Sequence, residues 1–251
     1  MKIKINEDIL IEFDRNNFSP KYKGMFTTIE EGQRIVHGSS ELSKDDHRRI
    51  SDQFPFWAMN RYHLYYRILG YFSTFYNGKI LVDIGTRMGH SAASLAFNEN
   101  NMVYTYNNVD ERVKPFNLEP KNDVFNKMGN IKVFVESGEN SSTPLGNILD
   151  SYIHRETILK SDLIFMDVDP HDGGKEEALF DFLYDNNYKG VTLWDDINVQ
   201  LMDWFSGIDV TSISTGGRLD YKHVEKYNLE EYSWEGGTGV ICFGEQELIL
   251  E

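Results

Sequence analysis

The sequence has little of what would tie it to a disulfide scaffold, a membrane or a polyanion. Of its 251 residues one is cysteine, Cys242, so no internal disulfide and no cysteine metal cluster can form. That usage fits a reducing compartment, and Cys242, set in an apolar run, reads as buried strand filler. Long apolar runs are missing too. Met1-Lys2-Ile3-Lys4 gives way to Asn6, Glu7 and Asp8 before any apolar core develops, so neither a secretory leader nor membrane insertion is expected. Positive charge is the third shortage: 25 Lys and Arg stand against 40 Asp and Glu, a formal charge of -15. Such an excess repels phosphate backbones and anionic lipid, which argues against general nucleic-acid binding and leaves room only for a local basic pocket. What is present is core material. Hydrophobic residues are 40% of the chain against 26% charged, enough to bury a sizeable interior and to exclude intrinsic disorder. A folded, soluble, cytoplasmic protein is expected.

The first 79 residues read as an N-terminal extension. They hold a short alternating stretch, Lys2 to Phe13, a polar region with glycines, and an aromatic-rich segment from Phe54 to Tyr76. Ser43, Asp45 and Asp46 can start a helix, and Phe56, Met59, Leu64, Ile68, Leu69 and Phe72 offer an imperfect apolar face at helical spacing. That face can cover a main domain, and its tyrosines serve either packing or the border of a ligand pocket. From residue 80 short apolar strands alternate with helical segments, the rhythm of an α/β domain over residues 80–251 with a mostly parallel central sheet. Strands are expected at Lys79 to Ile84, Met102 to Tyr106, Ile131 to Val135, Asp162 to Met166 and Val191 to Trp194. Helices are expected from Ser91, within Thr143 to Leu159, and over Glu176 to Tyr184, covering both sheet faces. A last strand, Val240 to Phe243, is expected at a sheet edge. No repeat or long linker divides the domain.

Two places carry chemistry. In Ile80-Leu81-Val82-Asp83-Ile84-Gly85-Thr86-Arg87-Met88-Gly89-His90-Ser91 an apolar strand runs into two glycines and a helix start. This is either an ordinary turn or a place where backbone approaches a polar cofactor. The spacing departs from Gly-x-Gly-x-x-Gly, which weakens a dinucleotide assignment. The second place is the pair of strand ends Met166-Asp167-Val168-Asp169-Pro170-His171 and Trp194-Asp195-Asp196. Neighbouring parallel strands converge at their carboxyl ends, so Asp167, Asp195 and Asp196 can meet despite their separation. Three acids together repel unless a hard cation with a preference for oxygen ligands sits among them; the alternative is a pair of structural loops.

From about Lys79 to Phe243 these segments resemble the class I S-adenosylmethionine-dependent methyltransferases. The likeness is to the small-molecule O-methyltransferases that use a divalent metal and include macrocin O-methyltransferase-like enzymes. The resemblance implies a Rossmann-like class I methyltransferase fold with Val82 to Gly89 around the methionine end of S-adenosyl-L-methionine. By it, Asp83 would organise the loop or reach the amino group through water, Gly85, Thr86 and Gly89 would allow close backbone approach, and Ser91 would bond the carboxylate. The ribose acid that the family carries after its second strand is replaced by Tyr106-Asn107-Asn108-Val109-Asp110. Asn107 stands nearest its position and Asp110 is displaced along the loop, so an altered cofactor site stays open. Ser137, Gly138 and Glu139 would frame the adenine.

On the acceptor side the resemblance makes Asp167 the first metal ligand and Asp195 with Asp196 the following pair, Mg2+ being the leading cation. It would grip two neighbouring oxygens of the acceptor and favour the deprotonated one. Asp169 and His171 stand where relatives carry Asp-Gly-Asp-His, but Val168 replaces the glycine and Pro170 intervenes. His171 would accept the substrate proton, contact the cofactor or serve structure, and Asp169 is equally open. Residues 203–239, with Gly216, Gly217, Arg218 and Trp234, would close over the acceptor. The expected activity is methyl transfer to a hydroxyl of a small-molecule or sugar-containing acceptor. A metal-assisted sugar or phosphate hydrolase and a noncatalytic binding or assembly protein are the alternatives, and a homo-oligomer is compatible with each.

Overall fold

Four short runs rich in Ile, Val, Leu and Phe, with a fifth of Met, Val and Tyr, form the parallel heart of the main sheet: β2 (Ile80–Ile84), β4 (Ile131–Glu136), β5 (Leu163–Met166) and β6 (Val191–Asp195), and the fifth, β3 (Met102–Asn108). Strands covered on both faces need near-continuous apolar sequence, and β5 and β6 are buried at every position. The computed structural model describes residues 1–18, 21, 63–85, 90–108, 128–136, 148–168, 173–198, 203–208, 224–229 and 237–251. Within them β7 (Val224–Asn228) and β8 (Thr238–Phe243) complete a seven-stranded sheet of order β4-β3-β2-β5-β6-β8-β7. The first five strands pair in parallel, and β8 runs antiparallel to both β6 and β7. This is the mostly parallel, Rossmann-like sheet expected. Its order reverses between β2 and β5, the switch point outside whose carboxyl ends ligands bind in open α/β sheets.

Alternation along the strands divides the core into two layers. One joins Leu81, Phe165 and Leu193 to side chains of α1 (Glu7–Phe13), α2 (His63–Ser73) and α3 (His90–Leu95). The other joins Val82, Ile164 and Trp194 to α4 (Tyr152–Lys160), α5 (Gly174–Asp185) and α6 (Asp203–Gly207). Of the helical face read from sequence, Ile68, Leu69 and Phe72 are fully buried in the first layer. The proposed start at Ser43, and the side chains of Phe56, Met59 and Leu64, lie outside the described residues. No helix among the described residues is long and apolar enough to cross a membrane.

The alternating stretch Lys2 to Phe13 resolves into two elements. β1 (Lys2–Ile5) alternates exposed and buried residues, then the Asn6 side chain accepts a 2.8 Å bond from Ile9 N and starts α1. β1 pairs in parallel with β9 (Glu247–Leu250), flanked by the ion pairs Lys2–Glu247 and Lys4–Glu251. The two ends of the sequence therefore close on each other. Arg67 of α2 is buried and its guanidinium donates to both carboxylate oxygens of Glu7, at 3.1 and 3.2 Å, which ties α1 to α2.

The structure corrects one strand placement. Val240 to Phe243 does not lie at an edge; it belongs to β8, in the interior between β6 and β7. The edge is β7, whose Val-Glu-Lys-Tyr-Asn sequence is too polar to stand out as a strand and has the charges that protect exposed edges. Lys226 of β7 donates to the carbonyls of Phe205, Ser206 and Ile208, closing the carboxyl end of α6.

Cys242, interior in β8, is 2% exposed, and burial pushes its thiol up to about 12. At pH 8 only about 1 thiol in 10⁴ is then ionised, and the thiolate is the reactive form. Iodoacetamide at pH 8 is expected to leave the native protein unlabelled for hours and to modify Cys242 rapidly in guanidinium chloride; fast native labelling, read by mass spectrometry, would contradict this placement.

Candidate functional site at the carboxyl edge of the sheet

Register aligns the residues singled out at the strand ends. Ile84 lies opposite both Tyr106 and Met166, Met166 opposite Trp194, and Asp195 opposite Thr238. The ladders continue one residue past the strands, with Gly85 N donating to Tyr106 O and Asp167 N to Ile84 O, each at 2.9 Å. The next row across the sheet therefore runs Asn107, Gly85, Asp167, Asp195, Thr238. Two residues earlier in the same register lie Thr105, Asp83, Phe165, Leu193 and Val240. Residues two apart on a strand share a face, so both rows belong to the side of the sheet covered by α1, α2 and α3.

Gly85 is held in place by a backbone constraint. Its φ is +100, and an added Cβ would stand 1.6 Å from the carbonyl oxygen of Asp167 and 3.1 Å from the Val168 side chain. Only glycine allows β2 to turn away while its backbone rests against the end of β5. One row back, Asp83 is fully buried and its carboxylate accepts a 2.6 Å bond from Thr105 Oγ1 of β3. A carboxylate taken out of water needs such bonds, and this one fixes its direction. Ser91, in the first turn of α3, is 4% exposed. The close backbone at Gly85, one row beyond the buried Asp83, thus forms a cradle at the carboxyl ends of β2 and β5.

Asn107 takes its place at the end of β3 as a register position. Thr86, Gly89, Asp110, Ser137, Gly138, Glu139, Asp169 and His171 lie outside the described residues, as does Trp234.

Of the three aspartates expected to hold a metal, two are neighbours in register. Asp167 and Asp195 hold adjacent positions in the row, Asp195 4% exposed and Asp167 half-buried. Asp196, however, has a left-handed φ of +57, and the chain turns there out of the strand. The turn is pressed against the start of β8: a Cβ on Gly237 would meet Asn198 Nδ2 at 2.6 Å, and one on Gly239 would meet Ile197 at 2.9 Å. Among the described residues no three of His, Cys, Asp or Glu come together as a group able to hold a metal ion.

Two threonines escaped the sequence reading. Thr105 was invisible because its role is to meet Asp83 across strands 22 residues apart. Thr238 is fully buried, and among the described residues its Oγ1 has no hydrogen-bond partner. Such a hydroxyl is destabilising by about 1–3 kcal/mol relative to an apolar group of the same shape. Its position inside Gly236-Gly237-Thr238-Gly239, just before an apolar strand, was the available signal.

No protein-family model matches the chain, and no curated protein matches it. Solved structures similar to it include methyltransferases at low identity. A Staphylococcus aureus protein assigned as a caffeoyl-CoA O-methyltransferase is 12% identical, with 94% of this chain and 98% of that one covered and a TM-score of 0.49. The O-methyltransferase TomG of Streptomyces achromogenes, involved in tomaymycin synthesis and solved with S-adenosylmethionine, is 12% identical over 90% and 98%, with a TM-score of 0.45. An O-methyltransferase of Bacillus cereus in complex with S-adenosylhomocysteine is 16% identical over 94% and 90%, with a TM-score of 0.41.

The contact between Gly85 and Asp167 makes its own prediction. Gly85→Ala must displace backbone and strain φ, a loss of about 3 kcal/mol or more. For a chain of this size that lowers Tm by about 6–12 °C. A thermal melt equal to wild type would contradict the close approach.

Proposed function

We propose that the chain transfers a methyl group from S-adenosyl-L-methionine to a hydroxyl of a small-molecule or sugar-containing acceptor. The observation that carries this reading is the Gly85 cradle over the buried Asp83–Thr105 pair, set at the switch point of the sheet. It coincides with the segment Val82 to Gly89 whose sequence resembles the cofactor loop of class I methyltransferases. Bound there, the cofactor supplies an electrophilic methyl group on a sulfonium.

The residues of the chain then divide the work along the row. Gly85 brings backbone close to the methionine end, Asp83 braces the turn through Thr105, and Ser91 faces the carboxylate. Thr86 and Gly89 extend the same loop, Asn107 or Asp110 takes the ribose hydroxyls, and Ser137, Gly138 and Glu139 frame the adenine. On the other side of the switch point Asp167 and Asp195 accept hydrogen bonds from the acceptor hydroxyls, and Asp167 or His171, with Asp169 beside it, receives the proton as the oxygen attacks. Most of the acceleration comes from holding oxygen, methyl carbon and sulfur in line. The remaining surface acids keep polyanions away. A divalent-metal requirement, expected from the resemblance, would need a further ligand from Asp169 or His171 beside Asp167 and Asp195.

Isothermal titration tests the cofactor class: saturable binding of S-adenosylhomocysteine and none of NAD is expected, and the reverse would end this reading. Asp83→Asn is expected to weaken that binding at least ~10-fold, about 1.4 kcal/mol. With a panel of polyhydroxyl and catechol acceptors, methylated product is expected from wild type, and Asp167→Asn is expected to lower kcat by about 10²–10⁴. Loss of product in EDTA with recovery in Mg2+ would support the metal requirement; unchanged turnover in EDTA would remove it and leave methyl transfer standing.

A further inference from the structure

Thr238 is a place where local stability and local chemistry disagree. It opens β8, a strand buried at all six positions and otherwise apolar except for Gly239. A β-branched residue suits that strand, and Val would keep the shape while removing a buried hydroxyl that has no partner among the described residues. The hydroxyl of a threonine in such a position is free to bond in a state other than the resting one. Polar groups retained against local stability concentrate where a site needs them.

Its neighbour supplies the use. Thr238 is the cross-strand register partner of Asp195, on the same sheet face. Directly opposed residues have Cβ atoms about 4.5–5.5 Å apart, so rotation about the Thr238 side chain brings Oγ1 within hydrogen-bonding reach of that carboxylate. Both residues are buried, Thr238 fully and Asp195 to 4% exposure, so such a bond would form away from bulk water. Thr238 is also held from behind. The glycines on either side of it meet Asn198, Ile197 and Phe205 at distances that leave no room for a side chain, which locks the start of β8 onto the turn that follows Asp195.

We infer that Thr238 is a positioning residue: during turnover its hydroxyl donates a hydrogen bond to the Asp195 carboxylate and directs the other oxygen toward the acceptor. The role rests on the methyl-transfer reading above and adds a residue to it. It parallels, on the acceptor side of the switch point, the Thr105 to Asp83 bond on the cofactor side: in each case a threonine of a neighbouring strand aims a buried aspartate at the carboxyl edge. Thr105 has made its bond in the resting structure; Thr238 holds its donor in reserve.

The test compares wild type with Thr238→Val and Thr238→Ser, using S-adenosylmethionine and whichever polyhydroxyl acceptor wild type methylates. T238V is expected to melt within about 2 °C of wild type or above it, to bind S-adenosylhomocysteine unchanged by calorimetry, and to lose about 10- to 100-fold in kcat with little change in acceptor KM. T238S keeps the hydroxyl and is expected to recover most of that loss. Wild-type kinetics in T238V overturn the role. So does an equal loss in T238S and T238V, which would show that shape and not the hydroxyl matters, or a fall in T238V of more than about 5 °C in Tm, which would make the hydroxyl structural. Absence of methylated product from wild type across the acceptor panel would instead overturn the methyl-transfer reading, and the role of Thr238 with it.

Discussion

The contact on which the rest of this structure depends is the one between the backbone of Gly85 and the carbonyl of Asp167. β2 and β5 are adjacent parallel strands on either side of the switch point, and their carboxyl ends come so close that no Cβ fits between them. That closeness places the turn after β2 and the carboxylate-bearing end of β5 side by side in one register row. A single substitution at Gly85 would push the two strand ends apart, because each is hemmed in by a paired neighbour on its other side.

Around that contact the sheet is organised as two unequal halves. β3 and β4 extend the sheet beyond β2 with parallel strands, while β8 and β7 extend it beyond β6 with an antiparallel pair. The antiparallel insertion matters for the site. It brings the amino end of β8 to the carboxyl end of β6, so that Thr238, residue 43 positions away in sequence, stands opposite Asp195. A parallel strand in the same place would have presented its own carboxyl end there. The N-terminal elements contribute from below and behind: α1 and α2 share a buried layer with α3, and β1 closes on β9. The described part of the first 79 residues is thus built into the same core layer as Leu81, Phe165 and Leu193 of the central strands.

Much of this was legible because the physics that forms it is local. Strands such as Leu163–Met166 and Val191–Asp195 announce themselves as short unbroken apolar runs, and helices such as Gly174–Asp185 as longer mixed ones. Gly85 stands out as a glycine just past a strand, and Asp167 and Asp195 as acids at the ends of buried strands. β7 was hidden because an edge strand faces water and needs no apolar run. β8 was visible as a strand yet misplaced, since nothing in Val240 to Phe243 tells on which side of β6 it will pair or in which direction.

The grouping of acids illustrates the difference most sharply. That Asp167, Asp195 and Asp196 follow buried strands is a property of the chain, and so is the convergence of two of them, because parallel neighbours must end at the same edge. The third, Asp196, follows where the chain leaves the strand at a left-handed φ, and residues 197 and 198 of that turn pack against the glycines that begin β8. Composition and periodicity therefore determine the α/β class, the chemistry available at the strand ends and the shortage of positive charge. Pair direction, register and close packing, which join residues tens of positions apart, decide which of those groups face one another, and they are settled only when the chain has folded.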